Sequence, residues 1–117
     1  MYYIDDIALR SYRKRSGLTQ EDVAALIGAQ SASQVSRHEN GEREPDLKTT
    51  LAYRIVFDAP VRQLLPKLYR DLAQEVDLRA AALAERLKVS NDGLHTAHRI
   101  DHLQQMSARI RLFEIDV

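Results

Sequence analysis

Thr19-Gln20-Glu21-Asp22-Val23-Ala24-Ala25-Leu26-Ile27-Gly28 is followed, after one short gap, by Val35-Ser36-Arg37-His38-Glu39-Asn40-Gly41, with Arg43 and Pro45 just beyond. Thr19 suits a helix N-cap because its hydroxyl can accept a first-turn backbone N–H, and Glu21 and Asp22 favour the positive end of the helix dipole. A helix is therefore expected from Gln20. Val23, Leu26 and Ile27 recur at i, i+3 and i+4, which predicts one buried stripe, and Ala24 is small enough to admit a second helix close by. Gly28 stands where a helix commonly ends at positive φ. Ser31 with Gln34 three residues on forms a capping-box pattern, so a second helix is expected from Ala32 to about Glu39, anchored inward by Val35 and stopped by Asn40-Gly41.

A helix, a glycine turn and a helix in this order make a helix-turn-helix, the unit that lays its second helix into the DNA major groove. Leu18-Thr19-Gln20-Glu21, Val23-Ala24, Gly28 and Val35-Ser36-Arg37-x-Glu39-Asn40-Gly41-x-Arg43-x-Pro45 resemble the Cro and phage-repressor type of this motif, often called the Xre family, over roughly residues 5 to 65. Between Gly28 and Val35 the chain carries one residue more than the usual family spacing. Either the turn is longer or the second helix gains a residue at its start, and the base-reading register shifts with it.

The resemblance implies a sequence-specific DNA-binding transcriptional regulator, a repressor, acting as a homodimer. Gln20 is expected on a backbone phosphate, with Thr19 beside it at a helix N-terminus where anions bind naturally; Thr19 also fits a pure cap. Ser31, Ala32, Ser33, Gln34, Ser36 and Arg37 fall at the start or on the outer face of the second helix. There Gln suits adenine, Arg suits guanine, and Ala or Ser suits a thymine methyl or a single bond. Arg37 and Gln34 are the expected specificity residues, Gln34 alternatively closing the capping box with Ser31. Asn40 and Arg43 resemble family positions on phosphates, the plainer alternatives being a helix stop and a solvated Arg. Arg13 and Glu39 are expected to form a structural ion pair that locks the first helix to the third.

Composition bounds the rest. The 117 residues, 44% of them hydrophobic, suffice for one small domain or a compact head with a helical appendage. The chain has no cysteine, hence no disulfide framework and no thiolate metal site. With no apolar run near the ~20 residues of a membrane span and no signal-peptide pattern at Met1–Asp6, no membrane partner is expected and the cytoplasm is the expected compartment. Lys plus Arg equals Asp plus Glu at 17 each, and residues 1 to 60 hold eight basic against nine acidic side chains, so bulk charge provides no basic footprint. Arg10, Arg13, Lys14 and Arg15 nonetheless cluster at the first helix, with Arg37, Arg43 and Lys48 further on. With few phosphate contacts the salt dependence should be shallow, and tight binding should require a dimer.

The fold class expected is all-α: a five-helix repressor-like head over 1–65 and a long-helix hairpin for dimerisation over 66–117. Helix one is expected over Asp5 to Arg15 with Ile7, Ala8, Leu9 and Tyr12 inward, broken by Ser16-Gly17. Helix four is expected after Pro45 with Asp46 as N-cap and Leu47, Leu51, Ile55 and Val56 inward. A fifth starts at Asp58-Ala59-Pro60 with Pro60 in its first turn, burying Val61, Leu64 and Leu65. Pro66 then opens a long helix to about Lys88, on which Leu65, Leu68, Tyr69, Leu72, Val76, Ala80, Leu83 and Leu87 share a face, a stripe of about 34 Å at 1.5 Å per residue. After Ser90-Asn91-Asp92-Gly93 a second amphipathic segment presents Ile100, Leu103, Met106, Ile110 and Phe113. A two-helix hairpin has little core of its own, so a second copy is the expected cover; folding back onto the head is the alternative.

His95, His98 and His102 share one helical face with Asp101 near, a spacing open to zinc or nickel, but without further ligands they read as boundary residues of the apolar stripe. No metal and no cofactor are expected. No glycine-rich phosphate loop, nucleophile motif or paired carboxylates appear, so no enzyme is expected. The competing class is an antitoxin-like or adaptor protein whose tail, 66–117, binds another protein.

Overall fold

The computed structural model describes residues 8–90 and 93–115, with side chains as far as Leu112. These residues form seven helices: α1 Leu9–Ser16, α2 Gln20–Ile27, α3 Ala32–Glu39, α4 Leu47–Phe57, α5 Val61–Leu64, α6 Pro66–Ser90 and α7 Leu94–Ile115. The class is all-α. Two compact units divide the chain, one ending at Tyr69 and the other beginning at Arg70.

Local chemistry explains most boundaries. Thr19 Oγ1 accepts from Asp22 N at 3.0 Å while Asp22 Oδ2 accepts from Thr19 N at 2.9 Å, so the first turn of α2 is capped reciprocally. α2 ends on Gly28 at φ 75°, and Ala29 N donates back to Ala24 O at 2.9 Å. α4 opens on Asp46, whose Oδ1 accepts from Thr49 N at 2.8 Å. Pro60 precedes α5 as its N-cap rather than standing in its first turn. α1 starts at Leu9, with Ala8 as the flanking residue; positions 5–7, including the expected core residue Ile7, lie outside the described residues.

In the first unit Leu9, Val23, Val35, Tyr53 and Leu64 are each at most 1% exposed, joined by Ala24, Ala59 and Leu65. Burial of this set supplies the apolar free energy that holds α1 to α5 together, about 1.5–3 kcal/mol for each large side chain. Tyr12, Leu18, Ile27, Phe57 and Leu68 pack around it. Ala8 N donates to Leu64 O at 3.1 Å and Tyr12 Oη to Gln63 Oε1 at 3.0 Å, fastening the start of the head to α5.

Two core expectations need correction. Leu26 is 60% exposed: α2 buries Val23 and Ala24 against its neighbours, and Leu26 turns out of that seam. On α4 the expected face is the wrong one. Leu47 and Leu51 are exposed and Ile55 is 79% exposed, whereas Tyr53 is buried with Thr50, Val56 and Phe57 partly covered beside it. Tyr53 wins because its ring stacks on Phe57 at 6.2 Å and its hydroxyl reaches His38 Nδ1 at 2.8 Å, which satisfies the polar end of a buried aromatic.

In the second unit α6 runs two residues past the expected end, and Gly93, at φ 92°, precedes α7. Of the α6 stripe Ala80 and Leu87 are buried and Leu83 is half-buried; Tyr69, Leu72 and Val76 are exposed. On α7 Thr96 is buried while Ile100, Leu103, Met106 and Ile110 are half-buried, and the side chain of Phe113 lies outside the described residues. Arg111 Nε approaches Asp77 Oδ2 at 4.0 Å, and Ala80 and Ala84 face Leu103 and Ser107 across an open groove.

Candidate nucleic-acid interface

α3 is held by one face. Val35, His38 and Glu39, at i, i+3 and i+4, are its buried residues. The opposite side remains in solvent: Ser33 and Arg37 are exposed, and Ala32, Gln34 and Ser36 are half-exposed. The connection from α2 comprises Gly28 to Ser31, the upper end of the roughly 3–4-residue turn of such motifs. α3 starts at Ala32, which places Val35 fourth in the helix.

The capping box at the start of α3 does not form. Ser31 is the N-cap but makes no side-chain cap; its Oγ lies 2.7 Å from Ser33 Oγ, and its carbonyl accepts from Gln34 N at 3.2 Å. The Gln34 side chain instead borders a hollow of about 150 Å³ with His38, Arg43, Glu44, Asp46 and Thr49.

Beneath the outer face lies one carboxylate network. Arg13 donates through Nε to Glu39 Oε2 at 2.6 Å and through Nη2 to Oε1 at 3.1 Å, a bidentate fork, while its Nη1 donates to Leu18 O at 3.2 Å. Gln20 Nε2 donates to the same Oε1 at 3.1 Å, so the side chain expected on phosphate is tethered at the start of α2. Arg10 Nε stands 3.5 Å from Oε1, and Arg10 Nη2 donates to Asn40 Oδ1. Burial pushes the Glu39 carboxyl up, but the bonds from Arg13, Gln20 and Arg10 outweigh it and hold the group below its ordinary value. The same hydrogen bonds, donated by Arg13 to Glu39, raise Arg13.

The remaining expected residues divide clearly. Thr19 is exposed with its hydroxyl engaged in the cap. Asn40, also exposed, donates through Nδ2 to Ser36 Oγ at 3.3 Å and flanks the end of α3. Arg43 is exposed, in a loop closed by Glu42 N donating to Arg37 O at 3.0 Å. His95, His98 and His102 are exposed on α7, and no group of three or more His, Cys, Asp or Glu that could hold a metal occurs among the described residues.

The sequence pattern left out His38 and Tyr53. They meet edge to face with ring centroids 5.7 Å apart, joining α3 to α4, and His38 also lines the hollow that Gln34 borders. Burial lowers the His38 pKa, Arg43 lowers it further and Asp46 opposes them. Burial likewise pushes the Tyr53 phenol up. One signal was available: His38 lies three residues after Val35, on the inward side of α3.

No helix among the described residues is long and apolar enough to cross a membrane. A family model described as helix-turn-helix matches residues 9–63. No curated protein and no solved structure matches the chain. With an inward-clamped α3, an αL glycine turn and a family match over the same helices, residues 9–63 are a helix-turn-helix domain of the Cro and phage-repressor type, a type found in DNA-binding regulators.

Proposed function

We propose that the protein is a sequence-specific transcriptional repressor that binds operator DNA as a homodimer. The carrying observation is the two-sidedness of α3: Val35, His38 and Glu39 are buried, whereas Ser33 and Arg37 are open to solvent. A short rigid helix presented this way fits a major groove. In this reading Ser31, Ala32, Ser33, Gln34, Ser36 and Arg37 meet base edges or the adjoining backbone, and Thr19, Gln20, Asn40 and Arg43 meet phosphates. Residues 1–65 are the DNA-binding domain and 66–117 the dimerisation region. The tail supports this because α6 leaves Tyr69, Leu72 and Val76 exposed along one face, an apolar row that a second copy would cover.

Selection of bound duplexes from a random pool, with mass by light scattering, tests the proposal. A two-fold symmetric site with half-sites about one helical turn apart, bound by a dimer, is the expected result. An exposed row on α4, Leu47, Leu51 and Ile55, favours a second reading in which the head serves as an adaptor for another protein. A pool without any enriched sequence at low salt would favour an adaptor, through this row or through the tail at 66–117.

A further inference from the structure

We propose that Arg10 is a phosphate-binding residue of the DNA interface, a role that rests on the DNA-binding reading above. Charge comes first. Glu39 carries one negative charge, and the Arg13 fork already occupies both of its oxygens at 2.6 and 3.1 Å. Arg10 stands off at 3.5 Å, so the cluster of two guanidiniums and one carboxylate retains a net positive charge. That charge lies outermost: the side chains of Arg10, Arg13 and Glu39 are 29%, 14% and 1% exposed.

Position comes second. Arg10 Nη2 donates to Asn40 Oδ1, and Asn40 Nδ2 donates to Ser36 Oγ at 3.3 Å, so a polar chain runs from α1 along the outer edge of α3. On its other side Arg10 shares Glu39 with the tethered Gln20. The guanidinium thus stands between Gln20 and Asn40, both assigned to phosphates, and is held there before DNA arrives. Among the described residues neither of its contacts engages Nη1. A planar guanidinium held in place with surplus charge suits a backbone phosphate, and this one would bring no base preference.

The salt dependence of DNA affinity separates this role from a mere tether between α1 and Asn40. Each neutralised phosphate contributes about −0.9 to the slope of log affinity against log salt. With the duplex that the wild-type chain enriches, or a mixed-sequence duplex at low salt, Arg10→Gln should flatten that slope by about one and weaken all sequences alike, while Arg10→Lys keeps it. Weaker binding with an unchanged slope in Arg10→Gln would overturn the proposal. Should Arg10→Gln not fold, arginine modification of the wild-type chain decides: DNA should shield Arg10 from phenylglyoxal while leaving the exposed Arg86 on α6 reactive. Equal reactivity of Arg10 with and without DNA would reject the role. A wild-type chain that binds no duplex removes the DNA reading and this inference together, whereas a binding wild type with an unchanged slope in Arg10→Gln removes the inference alone.

Discussion

Glu39 is a single carboxylate on which α1, α2 and α3 converge, through Arg13, Gln20 and its own helix. Removing Arg13 takes two charge-assisted hydrogen bonds from a carboxylate that is 1% exposed and leaves it Gln20 and Arg10, so Arg13→Ala should cost about 1.5–3 kcal/mol, read from urea unfolding at neutral pH. Acid should attack the same region in two steps. His38 and Glu39 both titrate in the folded chain below their ordinary values of 6.5 and 4.5, so as pH falls the unfolded chain takes up each proton first. Each contribution is whole above the ordinary value and is lost as pH falls toward the folded value. Urea stability should therefore begin to drop below pH 6.5 and drop again below 4.5. The upper step should vanish in His38→Gln and the lower should shrink in Glu39→Gln, with Asp22 and Asp46, also held below their ordinary values by their caps, carrying the rest; a profile flat from pH 7 to 5 in the wild-type chain would contradict the His38 assignment.

At the scale of elements, the caps were legible because they are local. Thr19, Gly28, Ser31 and Asp46 each bound a helix where the neighbouring residues alone predict one, and the reciprocal Thr19–Asp22 bonds lie within one turn. Thr19→Ala should cost about 1 kcal/mol of unfolding free energy. Gly28→Ala should cost about 1–2 kcal/mol: nothing lies within 4 Å of the added methyl, so only the φ of +75° resists it. The inward face of α4 was not legible. Its apolar residues fall on both sides of the helix, and Leu47, Leu51 and Ile55 satisfy helical spacing as well as Tyr53 and Phe57 do. The choice belongs to His38, a residue on another helix. Ile55→Lys should accordingly change thermal stability by no more than about 0.5 kcal/mol, whereas Tyr53→Ala should cost about 3–5 kcal/mol. The missing side-chain cap at Ser31 has a related cause: Ser31 Oγ pairs with Ser33 Oγ instead of a first-turn backbone N–H.

Across the whole molecule, the proposed dimer makes the tail the deciding part. Among the described residues from Arg70 onward only Ala80, Leu87 and Thr96 are buried, few for two helices of 25 and 22 residues. Leu72→Glu combined with Val76→Glu should halve the mass seen by light scattering and, with the head intact, leave binding to a single half-site. An unchanged mass would send the search for the dimer surface elsewhere. From the sequence alone came the all-helical class, the glycine-hinged helix pair, the caps and the long helix after Pro66, since each follows from residues within a turn or two of one another. Tertiary structure alone decided which face of α4 turns inward, that Leu26 lies outside the core, and that Arg10 and Gln20 share Glu39 with Arg13. Those outcomes hang on contacts between residues far apart in the chain, where shape, charge and hydrogen-bond partners compete for the same buried space.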